Sequence, residues 1–347
     1  MKPNLKDYVC LNPFRILEMH EYFHALCVPE WLLKYIPVDI KVEDIWNSDV
    51  AKQIRESVTD GSYKFCDTEQ CPYLSHLLRY NEVDDKGPII HKSKLPDNFF
   101  SEKSPSRIDF DFDRTCNYKC PSCRKSVYTA DKEKIEEVKN TITEIENVFG
   151  SDVEELYLSA SGDPFASVSY RNFLKNFDPS KFPKLKNIHF HTNASNWSKE
   201  MWESMPNVHN YVGSCEISID AATKETYETK VRLNGKWDRL IENLKFISTI
   251  KSLKLVKLSF VTQQKNYKEM KMFVDIMKEI FGKKLLVLFV KINNWGTFTE
   301  EEFLKEKIWD ESHPEHPQFI DEVMKIHGDP QVYHNFHEFI VANKNLI

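Results

Sequence analysis

Glycine is scarce in this chain, with nine residues among 347 and no two adjacent. Neither GxGxxG nor GxxxxGK[ST] occurs, which argues against a glycine-cradled dinucleotide or P-loop nucleotide site. Long apolar runs are also missing. The longest strongly apolar stretch, Leu285–Val290, is six residues, whereas a membrane-spanning helix needs about 20. The opening MKPNLKDYVC has charges and no apolar core of a secretory signal, so a cytoplasmic address is expected, with no membrane partner. There is no excess of basic charge: 47 Lys and Arg stand against 53 Asp and Glu, a net charge of -6. No nucleic-acid partner is expected on that balance.

What the chain does have is a core and cysteines. Hydrophobic residues make up 41% of it, enough to bury two or three structural units. There are eight cysteines, three of them within residues 116–123. In a reducing compartment, cysteines clustered in this way point to metal ligands rather than disulfides.

Composition changes near residue 100. Residues 1–100 are irregular, rich in proline and aromatics, and a turn-forming connector spans 84–106, so a first module with its linker is expected over 1–104. From Arg107 the pattern becomes periodic. RIDFDFD (107–113), ELYLSAS (155–161), NIHFHTN (187–193), CEISID (215–220), KLSFVTQ (257–263) and LLVLFVKI (285–292) read as strands. Helical spacing fills 131–149 and 266–282, the latter ending on Gly282 at a position suited to a C′ glycine, and a turn followed by a helix is expected over 223–250. Strand–helix alternation predicts an α/β fold with a parallel sheet and right-handed crossovers. Six units fall short of a closed eightfold barrel. We therefore expect a partial (β/α)6 barrel over 105–297, with its site at the C-terminal strand ends, and a helical extension over 298–347.

The first strand runs directly into RTCNYKCPSC, which sets Cys116, Cys120 and Cys123 in a Cx3Cx2C spacing. Three thiolates can hold three irons of a cubane cluster and leave the fourth iron open. With a fourth ligand such as Cys215 or a histidine, the same residues would make a zinc knuckle. This motif, after the first strand of a partial barrel, resembles the radical S-adenosylmethionine (SAM) enzymes. The resemblance covers about residues 105–295. It implies a [4Fe–4S] cluster whose open iron binds SAM, reductive cleavage to a 5′-deoxyadenosyl radical, and hydrogen abstraction from a substrate. It also implies an electron donor such as flavodoxin or ferredoxin.

The same resemblance assigns further residues. Tyr118 matches the aromatic that lies near the adenine. SASGDP (159–164) is similar to the family's GGEP-type segment, which holds the SAM amino group. Ser161, Gly162 and Asp163 are its matching positions, with Ser161 in place of a glycine and Asp163 in place of a glutamate. HTNAS (191–195), through Asn193, is similar to the TNG segment. SIDAATKETYETKVR (218–232) is similar to an SIDG…YExxR segment, which implies that Ser218 meets the SAM ribose or carboxylate region and Arg232 the carboxylate. Asp220 is expected to point inward at the strand end, on the face shared by Glu216 and Ser218.

Four cysteines precede the barrel: Cys10, Cys27, Cys66 and Cys71. Their surroundings are similar to pieces of SPASM and twitch modules, which carry auxiliary iron–sulfur clusters. Here those pieces come before the barrel, the reverse of the usual order. Four thiolates fully ligate a second [4Fe–4S] cluster or, equally well in ligand chemistry, a zinc ion. A second cluster favours net oxidation of the substrate; zinc favours a redox-neutral outcome. The substrate reading is a small sugar- or polyol-like metabolite. The alternatives are modification of a ribosomally made peptide by crosslinking, oxidation or epimerisation, and a non-catalytic metal-cluster scaffold.

Other polar and thiol side chains have simpler readings. Cys215 reads as a small apolar filler on the strand face opposite Ser218. His189 and His191 alternate on the third strand and are candidates for SAM or substrate contact or for internal hydrogen bonds. Asn294 and Trp295 follow the sixth strand. The histidines of HPEHP (313–317) read as part of a loop.

Overall fold

The computed structural model describes residues 3–96, 99, 104–159 and 161–336. Part of the connector 84–106, Ala160 of the SASGDP segment and the end of the C-terminal extension lie outside those residues. The described strands are β1 (Tyr8–Cys10), β2 (Ile16–His20), β3 (His24–Ala25), β4 (Ile89–His91), β5 (Arg107–Asp111), β6 (Glu155–Leu158), β7 (Asn187–Thr192), β8 (Val212–Ser218), β9 (Leu255–Thr262), β10 (Leu285–Lys291) and β11 (Val332–His334). The six strands expected from alternation are β5 to β10. Among the described residues no helix is long and apolar enough to cross a membrane.

The chain forms two compact units, and neither is a continuous segment. The first comprises the stretch through Asp113 with Lys132–Ser161 and Asp178–Asn187. The second comprises Arg114–Asp131, Gly162–Phe177 and the chain from Ile188 onward.

In the first unit, β2 and β6 flank β5 in parallel, and β3 turns back antiparallel on β2. A separate two-stranded ladder joins β1 to β4. The N-terminal hundred residues thus contribute strands at both places, together with helices. Asp49–Thr59 is capped by the Ser48 hydroxyl, which accepts from the Ala51 N–H, and Pro72–Tyr80 is capped by the Cys71 sulfur. The helix Lys132–Val148 buries Val138, Ile142 and Ile145, the three- and four-residue spacing read from sequence.

In the second unit, β8, β9, β10 and β11 follow β7, each parallel to its neighbour. The two faces of this ladder differ chemically. Phe190, Cys215, Ile217, Val256, Leu258 and Phe260 are fully buried on one face. Phe260 meets Phe273 of the helix Met270–Phe281 and Phe289 of β10, both at 5.1 Å between ring centroids. That helix stops at Gly282, whose φ of 57° is in the left-handed region. The other face carries His189, Ser214, His191, Glu216, Ser218, Lys257 and Ser259, paired across the ladder. A register shift between Ile188 and His189 skips Gly213 of β8. This bulge sets which side chains of β8 face which way. β11, within the extension expected to be helical, adds a further parallel strand beside β10; Glu300–Glu306 and His316–Met324 are its helices.

Candidate active site and cysteine clusters

The loop after β5 carries the three closely spaced cysteines. The Cys116 N–H donates to the Tyr128 carbonyl at 3.0 Å, closing the base of the loop. The N–H groups of Cys123 and Arg124 both donate to the Cys120 carbonyl at 2.9 Å, which bends the chain so that Cys123 comes back toward Cys120. Cys116 and Cys120 are buried and Cys123 is exposed. Burial pushes the Cys116 thiol up to about 11, with Asp163 adding to the rise and Arg124 opposing it. Burial also raises Cys120, against the nearby Arg232. The Arg124 guanidinium faces all three thiols.

Side chains from later strand ends reach this loop. Beyond β7, the Asn193 amide donates to the Asn117 carbonyl oxygen at 3.1 Å and lies 3.8 Å from Cys116 Sγ. Asn117 in turn donates to Ser195 Oγ at 2.8 Å. Beyond β8, Arg232 donates from Nη1 to Cys120 Sγ at 3.4 Å and pairs through Nη2 with Asp220 Oδ2 at 2.7 Å. Asp220 is 1% exposed. Its other oxygen accepts the Val261 N–H at 2.7 Å, so the carboxylate is compensated on both sides. A five-residue π-helical turn, Tyr227–Val231, immediately precedes Arg232. Such turns are frequent at functional sites. It aims the Tyr227 hydroxyl at the Tyr118 hydroxyl, 3.0 Å away, with the rings edge to face. The sequence reading expected a turn in this stretch, but not its π-helical form.

Asp163 is fully engaged within the protein. Oδ1 accepts the N–H groups of Phe165 and Ala166 at 3.0 and 3.1 Å. Oδ2 accepts the Thr192 hydroxyl and the Asn193 N–H, both at 2.7 Å. The carboxylate therefore fixes the turn after Gly162 to the end of β7. Ser218 shares its hydroxyl with His191 Nε2 at 3.2 Å and Ser259 Oγ at 3.0 Å. Glu216 pairs with Lys257 at 2.5 Å. Burial acts to raise the Glu216 carboxyl, but His191 and Lys257 outweigh it and hold it low. Cys215 is completely buried on the opposite face, and burial raises its thiol. Ala194 and Asp220, each two residues past a strand end, hold φ at 58° and 64°. Left-handed backbone at non-glycine residues is a strain that clusters at functional sites.

The first unit has its own polar group at the ends of β2 and β5. His20 Nδ1 lies 2.9 Å from Asp111 Oδ2, and Nε2 lies 3.4 Å from Glu18 Oε2. Burial disfavours the imidazolium, but Asp111 and Glu18 outweigh it and lift His20 to about 9. Burial carries Glu18 up to about 7. Asp111 Oδ1 accepts both the N–H of Ser161 at 2.6 Å and its hydroxyl at 2.8 Å. The sequence reading missed Glu18, His20 and Asp111. The signal available was the alternation in EMH (18–20), which places the Glu18 and His20 side chains on one strand face.

The four N-terminal cysteines also belong to the first unit. Cys10 ends β1, Cys27 follows β3, and Cys66 and Cys71 bracket the turn before the helix Pro72–Tyr80. Burial raises the Cys10 thiol well above its usual value, with Cys27, Cys66 and Cys71 each adding to the rise. Burial likewise takes Cys27 and Cys66 up to about 12. Hydrogen-bond donors face these sulfurs: Asn12 Nδ2 at 3.2 Å from Cys27 Sγ, and the Leu74 N–H at 3.5 Å from Cys71 Sγ.

Among the described residues, no three or more His, Cys, Asp or Glu side chains are drawn into a finished metal-ligating arrangement. The donor chemistry nevertheless fits thiolate-held metal at both places. Each set gathers thiols near one another, and each is faced by N–H or guanidinium groups that would stabilise the deprotonated ligand.

No family model matches the sequence, and no curated protein matches it. Solved structures to which it is similar include Streptococcus suis SuiB bound to S-adenosylmethionine, at 11% identity over 96% of this chain and 71% of that one, with a TM-score of 0.43. They also include TYW1 with a lysine-pyruvate adduct (15% identity, 63% and 70% coverage, TM-score 0.36) and anSMEcpe with bound AdoMet (14%, 54% and 51%, TM-score 0.38).

Proposed function

We propose that this chain is a radical SAM enzyme, with Cys116, Cys120 and Cys123 holding the catalytic [4Fe–4S] cluster. The observation that carries the reading is the single guanidinium of Arg232, bonded at once to Cys120 and to Asp220 beyond β8. A strand-end ion pair tied into a thiol loop is what a site needs if it must place an amino-acid-bearing ligand beside a metal. When bound, the cluster would supply the electron that splits SAM into methionine and a 5′-deoxyadenosyl radical, which takes a hydrogen atom from the substrate.

The protein's own residues position and enclose. Arg124 and Arg232 balance the negative charge of the thiolates. Asn193 and Asn117 brace the loop. Tyr118, buried and bonded to Tyr227, offers a ring for the adenine to lie against. Ser218, His191, Glu216, Lys257 and Ser259 present hydroxyl, imidazole and charged groups along one sheet face. That row suits a hydroxyl-rich sugar- or polyol-like substrate better than an apolar one. Residues 114–130 contain four cations, Arg114, Lys119, Arg124 and Lys125, and no acid, with Cys123 exposed among them. This surface suits an acidic electron donor of the flavodoxin or ferredoxin type. Cys10, Cys27, Cys66 and Cys71 would hold a second cluster, or a zinc ion; with iron there, the proposed outcome is net oxidation of the substrate.

Anaerobic reconstitution with iron and sulfide tests the proposal. The wild type should hold about eight irons, and the triple Cys116→Ala, Cys120→Ala, Cys123→Ala variant about four. With SAM and dithionite, the wild type should form 5′-deoxyadenosine and the triple variant none. A colourless wild type that holds only zinc and forms no 5′-deoxyadenosine would end the proposal.

A further inference from the structure

We infer that Tyr63 is part of the N-terminal four-cysteine site, where its phenol donates a hydrogen bond to a metal-bound thiolate. The inference rests on reading Cys10, Cys27, Cys66 and Cys71 as metal ligands. Tyr63 is 2% exposed, yet its hydroxyl oxygen has no hydrogen-bond partner. Buried hydroxyls almost always have one, and an orphan calls for an explanation such as a bound ion and its ligands. The groups around this hydroxyl are the site itself. Burial is the main influence on the phenol, and the next three are Cys10, Cys66 and Cys71. The Cys10 N–H faces it without closing a hydrogen bond.

The backbone holds the ring in place. The Tyr63 N–H donates to the Ser57 carbonyl at 2.8 Å, and its own carbonyl accepts the Cys66 N–H at 2.9 Å. Between these bonds φ is 46°, left-handed at a bulky residue, where such a conformation is a genuine outlier. The ring belongs to a buried cluster with Val9, Cys10, Val58, Leu74, Leu77 and Ile89, and Cys66 and Cys71 pack against that cluster. A phenylalanine would fill that packing as well, so shape alone gives no reason for an oxygen. A thiolate does. A neutral phenol is a donor, an ionised sulfur is an acceptor, and such outer contacts tune how tightly a ligand set holds its metal.

Cobalt(II) is the probe, added anaerobically to the full-length triple Cys116→Ala, Cys120→Ala, Cys123→Ala variant. Thiolate-to-cobalt charge-transfer absorption should appear, and should disappear when Cys10→Ser is added. If the parent variant shows no such cysteine-dependent band, the metal-site reading fails and takes this inference with it. If the band is present, Tyr63→Phe should weaken cobalt binding by about 10- to 100-fold and move the band to longer wavelength. The metal-free Tyr63→Phe protein should melt at the same temperature as its parent or higher, because the orphan hydroxyl is gone. Equal cobalt affinity and an unmoved band would overturn the role of Tyr63 while leaving the metal site intact. A lowered melting temperature of the metal-free protein would assign the hydroxyl to structure instead.

Discussion

His20 shows how much chemistry a single residue can carry unnoticed. It stands between Glu18 and Asp111 at the C-terminal ends of two parallel strands, and its imidazolium is favoured up to about pH 9. Its unfolded value is about 6.5. The folded state therefore holds the proton more tightly. The stabilisation is complete below about pH 6.5 and is lost as pH rises through about 9. We expect the melting temperature of the wild type to fall between pH 7 and pH 10 by more than that of His20→Asn; identical slopes would remove His20 from the account. Asp111 is the link from this residue to the SGD segment, because the same carboxylate that faces His20 also binds Ser161. Of this triad, the sequence shows only the alternation in EMH (18–20). Two of its members sit in a region whose proline and turn content hides a five-residue strand, and the third reads as one more polar position in RIDFDFD. Asp163 stands out in the sequence through its motif, but its four internal hydrogen bonds do not. Burial and partner geometry decide whether a carboxylate is spent on the protein or free for a ligand.

At the scale of elements, periodic segments were readable and local irregularities were not. All six strands from β5 to β10 were legible from alternation, and the helices Lys132–Val148 and Met270–Phe281 from apolar spacing, because burial of one face imposes those periods. The short parallel strands β2 and β11 were not, since three to five residues leave too brief a pattern. The π-helical turn Tyr227–Val231 left no periodic trace either, because it is a single extra residue in a helical stretch. That residue matters. Deleting Thr229 would restore an ordinary helical turn and rotate everything beyond it by about 100°. Arg232 would then leave Cys120. We expect the deletion to retain most of the secondary structure by circular dichroism but to lose SAM binding by calorimetry. SAM binding equal to wild type would show that the turn is incidental.

At the scale of the molecule, residues 1–104 and β5 belong to one compact unit. β2 is buried along Leu17 and Met19, at 0% and 1% exposure, and its parallel partner β5 begins only at Arg107. A fragment ending at residue 104 keeps β2 but loses that partner. It should show no cooperative thermal unfolding and should bind a hydrophobic dye, whereas the full chain should melt cooperatively. A sharp melt of the fragment would count against this view. The interleaved course of the chain, which passes between units at Asp113, Asp131, Ser161, Phe177 and Asn187, has a further consequence for biogenesis. Arg232 is made 109 residues after Cys123, roughly 5 to 20 s later at ribosomal speeds. Throughout that interval the nascent thiols lack the guanidinium that braces Cys120. Under the proposed reading, metal that reaches the loop before Arg232 is made meets a ligand set without that brace.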